Sequence, residues 1–236
     1  MRSLTPDVRI KTGIPNMEKL IGGGFLKGSC NLISGDYGTG KTIFALQYLT
    51  KGITEYGELG TLISFLNDEE DLLGDAKQFG WQAKRLEEEG TLRILTSPPG
   101  METEFGREPI ESGEELMERI IEEVEDQGAE RLVLDGMDEI MELFESKSEF
   151  KSRIVELRRE LIKMDCTTLL LSAPELTIEG IIDSVVVLHY EGAGLDKTRA
   201  LEVMKMRRSE HTDRMIPFEI TDEGIIVTGA PEEREE

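Results

Sequence analysis

The chain has 236 residues, of which 38% are hydrophobic and 32% are charged, and its formal net charge at pH 7 is −22. An acidic surface of this kind repels phosphates, so we do not expect nucleic acid to be a partner. The sequence shows no apolar leader and no apolar run of about 18 residues, so we expect no signal peptide, no membrane span and a cytoplasmic location.

The first quarter of the chain predicts a short helix, a strand, a glycine-rich loop and a longer helix. Pro15 is suited to open the short helix, which the glycines at 22–24 would end. Residues 29–34 form a β-prone run, and residues 43–49 are rich in helix-forming side chains. The stretch between these runs reads Gly-Asp-Tyr-Gly-Thr-Gly-Lys-Thr, which matches the pattern G-x-x-x-x-G-K-[ST].

This stretch, residues 35–42, predicts a loop that binds the phosphates of a nucleotide. Its glycines allow backbone conformations in which consecutive N–H groups point at phosphate oxygens. Lys41 supplies a positive charge for the β- and γ-phosphates, and the Thr42 hydroxyl is a hard oxygen ligand for Mg²⁺. The alternative is a glycine-rich turn with an accidental lysine, which the flanking strand and helix disfavour. The predicted nucleotide-binding residues are Gly35, Asp36, Tyr37, Gly38, Thr39, Gly40, Lys41 and Thr42.

The next segments alternate between strand and helix. Residues 61–66 are apolar on both faces, as in a buried parallel strand, and a helix follows that ends at Gly80. Residues 91–95 predict another strand. Residues 97–112 contain several prolines and glycines and predict a long loop, of a kind that is usually functional or mobile.

The second half of the chain begins with further helices and strands and ends with strands alone. Ser112 and Ser146 each stand three residues before a glutamate, which is the capping-box pattern, and predict helices to about residues 127 and 164. Strands are predicted at residues 131–135 and 166–172. From residue 183 onward, strand follows strand, at residues 185–190, 199–206, 215–220 and 225–227.

This succession predicts an α/β fold. We expect a mostly parallel central sheet flanked by helices, with an antiparallel C-terminal extension. One domain is predicted over residues 1–230, with a disordered acidic tail at residues 231–236. Cys30 and Cys166 lie in apolar runs, which indicates buried, reduced thiols in a reducing cytoplasm.

Asp135 is the candidate metal ligand outside the glycine-rich loop. It ends a buried strand downstream of that loop, where a carboxylate helps to hold Mg²⁺ in phosphate-loop proteins. Without such a loop, an aspartate at the end of a strand most often forms a turn. With the glycine-rich loop upstream, the metal-ligand interpretation is the better one. Asp138 and Glu139 follow closely; either could assist, but acids at a loop or helix start are the better interpretation for both.

Several further segments resemble those of a KaiC-type domain of the RecA superfamily. Thr-Gly-Ile-Pro at residues 12–15, with glycines at 22–24, resembles the lead-in to that family's phosphate loop. Phe-Gly-Trp at residues 79–81 resembles its segment after the second core strand. Residues 205–211 resemble its late Lys-x-Arg-Gly-x-x-His segment, and residues 217–225 its closing strand pair. The likeness extends from about residue 9 to residue 227.

The resemblance implies a RecA-like P-loop fold that binds ATP and Mg²⁺ and assembles into homo-oligomeric rings, commonly hexamers, with ATP between subunits. In such a ring, Lys205 and Arg207 would reach the γ-phosphate bound by the next subunit. Two cations two residues apart on a strand point the same way and could act in trans as an arginine finger does. The alternative is a solvated basic spot. His211 is a further candidate contact, and a plain surface histidine is nearly as good an interpretation.

The sequence departs from this family at three positions. Relatives carry a Glu-Glu pair after the second core strand, where this chain has Leu66 and Asn67, neither of which can act as a general base. Asp68 or Glu69 could substitute only if the loop shifts by one or two residues. Ala173 stands where relatives have a polar residue that senses the γ-phosphate. The third departure is Gly136, where a serine is common.

These departures predict a KaiC-like protein that binds ATP with Mg²⁺ and hydrolyses it slowly or not at all. Its nucleotide state would control assembly or the binding of a protein partner, with ATP or ADP as the ligand. The alternative is an active ring-forming ATPase that uses Asp68 or Glu69 as its base. A recombinase-like DNA-binding ATPase is disfavoured by the acidic charge, and a kinase rests on analogy alone.

Overall fold

The structure is a computed structural model, and it describes residues 8–97, 110, 112–193 and 196–229. The predicted acidic tail at 231–236 and most of the predicted loop at 97–112 lie outside these residues. Within these residues, one large sheet carries the glycine-rich loop. A separate two-stranded antiparallel ribbon lies before this sheet in the chain. The ribbon pairs β1 (Arg9–Ile10) with β2 (Phe25–Leu26).

The large sheet has nine strands in the described part of the chain. They are β3 (Cys30–Gly35), β4 (Gly60–Ser64), β5 (Leu92–Thr96), β6 (Arg131–Asp135), β7 (Thr167–Ser172), β8 (Ser184–Ala193), β9 (Asp196–Met206), β10 (Ile216–Thr221) and β11 (Gly224–Val227). Their order across the sheet is β11-β10-β9-β8-β3-β7-β6-β4-β5. Strands β3 to β8 run parallel to their neighbours within that group, and β9, β10 and β11 pair antiparallel. The predicted fold class is thereby confirmed.

The helices of the described residues cover both faces of this sheet. They are α1 (Met17–Leu20), α2 (Lys41–Tyr56), α3 (Glu69–Gln78), α4 (Ala83–Glu88), α5 (Gly113–Gln127), α6 (Met137–Met141) and α7 (Lys147–Lys163). Ser112 and Ser146 cap α5 and α7 as predicted, since each hydroxyl accepts the N–H of the glutamate three residues on. The short helices α4 and α6 were not predicted, because five or six residues give too little periodicity to detect.

Each face of the sheet has its own apolar core. Alternate residues of a strand point to opposite faces, so Ile33 packs with α2, α3 and α4, whereas Leu32 packs with α5 and α7. Strands β3, β4, β6 and β7 are buried along their whole length. Burial on both faces explains why these strands read as continuous apolar runs in the sequence.

The register of the parallel strands brings their carboxyl ends to one edge of the sheet. Ser34 pairs with Ser172, and Asp135 pairs with both Ser64 and Leu171. The glycine-rich loop follows β3 at this edge, next to the segments that follow β4, β6 and β7. In open α/β sheets, ligands bind in the crevice outside such strand ends.

Candidate nucleotide-binding site

The glycine-rich loop joins β3 to α2 in a conformation that only glycine adopts without strain. Gly40 has φ 107°, and a Cβ there would also lie 3.1 Å from Ile220 Cδ1. Thr39 closes the turn by donating its hydroxyl to the Asp36 carbonyl at 2.9 Å. The loop therefore opens onto the amino end of a sixteen-residue helix, where unpaired N–H groups favour anions.

Lys41 folds over this loop. Its Nζ donates to the Gly35 carbonyl at 2.5 Å and to the Asp36 carbonyl at 3.0 Å. Burial lowers the pKa of Lys41, while Asp135 and Asp138 oppose the shift. The Lys41 ammonium is thus the positive charge that the carboxylates of Asp135 and Asp138 stabilise.

Asp135 and Thr42 lie side by side, as a shared metal site requires. The Thr42 hydroxyl lies 3.4 Å from Asp135 Oδ2, and Asn67 Nδ2 donates to the same oxygen at 3.2 Å. Burial raises the pKa of Asp135 to about 6, against the opposing effects of Lys41 and of hydrogen bonds from Thr42 and Asn67. Its other oxygen, Oδ1, is buried with no hydrogen-bond partner among the described residues.

This donor set fits Mg²⁺. A hard divalent cation prefers carboxylate and hydroxyl oxygens, and a buried carboxylate without a full set of partners is costly unless a cation or water completes it. Asp135 and Thr42 provide both oxygen types at the mouth of the phosphate loop. The sequence-based pairing of these two residues is therefore consistent with their position in the fold.

The segment after β4 contains no free carboxylate directed at the loop among its described residues. Asn67 is engaged with Asp135, and Asp68 caps α3 by accepting the Asp71 N–H at 2.9 Å. Glu69 lies in the first turn of α3 and lines a separate cavity between α3 and α4. A shift of the loop that made Asp68 the catalytic base would therefore remove the N-terminal cap of α3.

A small cavity of about 90 Å³ lies beside Lys41 and is lined by carboxylates. Asp138 accepts the Ala173 N–H at 2.7 Å, which fixes its position. Burial raises the pKa of Glu139, which the hydrogen bond from its own backbone N–H opposes. Both acids lie in the first turn of α6, and sequence reasoning treated them as helix-start acids because nothing showed that α6 faces the loop.

Arg199 contacts the glycine-rich loop, and the ring of Tyr190 packs against its guanidinium. The Arg199 guanidinium carbon lies 4.2 Å from the centre of the Tyr190 ring, and its Nη2 makes a long hydrogen bond of 3.5 Å to the Gly38 carbonyl. Sequence reasoning missed both residues, because an arginine in a strand has no local signature. Only the pairing of β8 with β3 and β9 brings them to the loop.

Lys205 and Arg207 do not approach the loop of their own chain. Lys205 pairs with Val185 near the amino ends of the parallel strands, whereas the loop follows their carboxyl ends. Lys205 Nζ donates to the carbonyls of Glu179 at 2.6 Å and Ile182 at 2.5 Å. The sequence predicts that both cations lie on one strand. This is wrong by one residue, because β9 ends at Met206 and Arg207 follows it.

A buried aspartate holds this second cationic site in place. Asp183 accepts from Arg158 Nη2 at 2.6 Å, from the Cys30 N–H at 3.1 Å and from Arg207 Nη1 at 3.3 Å. His211 is exposed, with its Nδ1 2.9 Å from the Thr212 carbonyl. The predicted basic residues are therefore at the opposite edge of the sheet from the phosphate loop.

Comparison with known proteins identifies relatives along nearly the whole chain. A model of the family described as "ATPase: KaiC" matches residues 10–232. A UPF0273 protein of Methanocaldococcus jannaschii is 32% identical over 234 residues, which cover 93% of this chain and 96% of the relative. The circadian clock oscillator protein KaiC of Synechococcus elongatus is 30% identical over 228 residues, covering 92% of this chain and 43% of KaiC.

A solved structure has the same fold. The crystal structure of a KaiC-like protein from Pyrococcus horikoshii superposes with a TM-score of 0.82 at 32% identity, covering 94% of this chain and all of that one. In the described residues, none of the helices has the length and apolar character needed to span a bilayer.

Proposed function

The chain belongs to the KaiC ATPase family, and from this premise we propose that it binds ATP with Mg²⁺, hydrolyses it slowly or not at all and acts as a nucleotide-dependent regulatory or assembly module. The observation that carries the proposal is the phosphate loop with Asp135 and Thr42 at its mouth. Slow turnover keeps the ATP-bound conformation long-lived, which suits a switch better than a motor. The proposed location is cytoplasmic, in keeping with the free, buried Cys30 and Cys166.

The residues of the loop have separate tasks in this proposal. Backbone N–H groups of residues 35–42 hold the α- and β-phosphates, and Lys41 moves from its own carbonyls onto the β- and γ-phosphates. Thr42 and Asp135 would hold Mg²⁺, which neutralises charge on the phosphate oxygens when it is bound. Arg199 contacts the Gly38 carbonyl and would add a cation beside the bound nucleotide, and Tyr190 packs against its guanidinium.

The chemistry of the β4 end supports slow hydrolysis. Leu66 has no polar atom, and the Asn67 amide cannot accept a proton at neutral pH. Loss of a positioned general base costs on the order of 10²–10⁴ in rate. Asp68 is already used as the cap of α3, so it does not replace the missing glutamate in this arrangement.

The position of the second cationic site supports assembly. Lys205 and Arg207 are too far along the sheet to serve the phosphate loop of their own chain. Lys205 pairs with Val185, and three strand residues, about 10 Å, separate Val185 from Leu188, which pairs with Gly35 at the start of the loop. A neighbouring copy in a head-to-tail ring would place them against that copy's γ-phosphate. The proposed assembly is a homo-oligomeric ring, with a hexamer as the expected size.

Calorimetry with a non-hydrolysable ATP analogue and Mg²⁺ tests the binding function. Lys41→Ala should weaken binding by about ten- to hundredfold, because a charge-assisted contact to phosphate is lost. Lys84→Ala is the matched control, since Lys84 is an exposed lysine on α4 and should leave the affinity unchanged. A wild-type protein that does not bind the analogue would contradict the proposal.

A further inference from the structure

The carboxylate of Glu139 occupies the space between the ends of β4 and β6. A Cβ built on Gly136 would lie 3.0 Å from Glu139 Oε2, 3.1 Å from Phe65 Cβ and 3.2 Å from Leu66 Cγ. Glu139 Oε2 therefore lies within close contact of the position that a Cβ on Gly136 would take. Its carboxylate is near Leu66, just beyond the end of β4.

Glu139 also faces the phosphate loop. It lines the same small cavity as Lys41, Tyr37 and Asp135, and the charges of Lys41 and Glu139 attract each other across it. Asp135 lines the same cavity, and its Oδ1 is buried without a hydrogen-bond partner among the described residues. Since Lys41 is the proposed ligand of the terminal phosphate, Glu139 shares a cavity with the group that would hold that phosphate.

The other nearby acids are less suited to accept a proton from that water. Asp138 is held by the Ala173 N–H, and Asp68 is held by the Asp71 N–H. Glu175 and Asp36 also line the cavity, but both are exposed, Glu175 in a turn and Asp36 in the glycine-rich loop itself. Glu139 is half-buried, and its carboxylate bonds to its own backbone N–H, a contact that a rotation of the side chain can release.

We propose that Glu139 is the general base of the slow ATP hydrolysis, a role that the side chains of Leu66 and Asn67 cannot fill. This inference rests on the proposed function. The water oxygen forms a bond to the γ-phosphorus, and the bond from the γ-phosphorus to the β–γ bridging oxygen breaks. ADP leaves with that electron pair, while one water proton passes to Glu139 Oε2 and then to solvent, leaving phosphate.

Glu139→Gln tests this assignment, with Glu142→Gln as the matched control at the exposed end of the same helix. We expect Glu139→Gln to lower the steady-state release of phosphate by about tenfold or more, since the amide cannot accept a proton. Affinity for a non-hydrolysable ATP analogue and the thermal unfolding midpoint should stay within error of wild type. After incubation with ATP, nucleotide extracted from the variant should be mainly ATP. Glu142→Gln should match wild type in every measurement.

A second variant separates a chemical role from a structural one. Glu139→Asp keeps a carboxylate and should retain turnover above that of Glu139→Gln; equal loss in both would overturn the assignment. Wild-type turnover in Glu139→Gln would also overturn it, as would the absence of any turnover in wild type. Failure of wild type to bind the analogue contradicts the proposed function itself, so the two failures are distinguishable.

Discussion

At the scale of single residues, Asn67 alters the electrostatics of the site as well as its chemistry. Its amide donates to Asp135 Oδ2 at 3.2 Å, so it favours the ionised form of a carboxylate whose pKa burial raises. A glutamate in the same place would set two negative charges close together. Such a pair is tolerated only when a cation lies between them. Asn67 therefore places a hydrogen-bond donor beside Asp135 where a glutamate would place a second negative charge.

Asn67→Glu should raise ATP turnover by about tenfold or more, because it places a carboxylate that can accept a proton after the end of β4, beside Asp135. It should also lower the thermal unfolding midpoint in metal-free buffer, and Mg²⁺ should restore it. Phosphate release and thermal unfolding with and without Mg²⁺ are the measurements. Asn67→Ala is the control and should not raise turnover. Equal turnover in Asn67→Glu and wild type would contradict the interpretation that the missing carboxylate at residue 67 slows hydrolysis.

Some residues of the candidate site can be predicted from the sequence, and others cannot. The loop pattern is local and therefore predicts Lys41 and Thr42, and the end of a buried strand predicts Asp135. The sequence also offers Glu139 but favours a loop or helix-start acid there, and it gives no sign of Arg199, since one residue lies on the unpredicted helix α6 and the other in the β8–β9 hairpin. Contacts that depend on the mutual placement of separate elements leave no mark in a short stretch of sequence.

At the scale of elements, Asp183 ties three parts of the fold together. It joins α7 through Arg158, the start of β3 through the Cys30 N–H, and the end of β9 through Arg207. Burial alone would raise the pKa of Asp183, but the hydrogen bonds from Arg158 and the Cys30 N–H outweigh it and hold the pKa below its usual value. The ionised carboxylate is therefore the stabilising form.

Asp183→Asn should lower the free energy of unfolding at pH 7 by about 2–4 kcal/mol, because it leaves Arg158 without its charged partner. Since the folded-state pKa is lowered, this contribution is present above about pH 4 and is lost as the pH falls through the folded value. Urea denaturation at pH 7 and near pH 3 should show the difference from wild type shrinking at the lower pH. Asp165→Asn, at an exposed aspartate with a 3.8 Å contact to Lys27, should change little at either pH.

At the scale of the whole molecule, the phosphate loop and the second cationic site lie at opposite edges of one sheet. The loop pattern in the sequence predicts the first of these, whereas the second rests on the resemblance alone, because no pattern within a single chain shows what a neighbour supplies. A head-to-tail contact between copies would join the two edges. It would also bring cations to the phosphates of a chain with a net charge of −22, whose copies otherwise repel one another.

Mixing two defective variants tests whether each nucleotide site is shared between copies. Lys41→Ala lacks the phosphate loop cation but keeps Arg207, and Arg207→Ala has the reverse defect. If the site needs both residues from different copies, each variant alone should be inactive, whereas an equimolar mixture should recover up to about a quarter of the wild-type ATP turnover, because random neighbours pair an intact loop with an intact arginine at that frequency. Light scattering of each sample with ATP should show whether assembly recovers in parallel. A mixture whose activity equals the mean of its two components would show that each chain completes its own site.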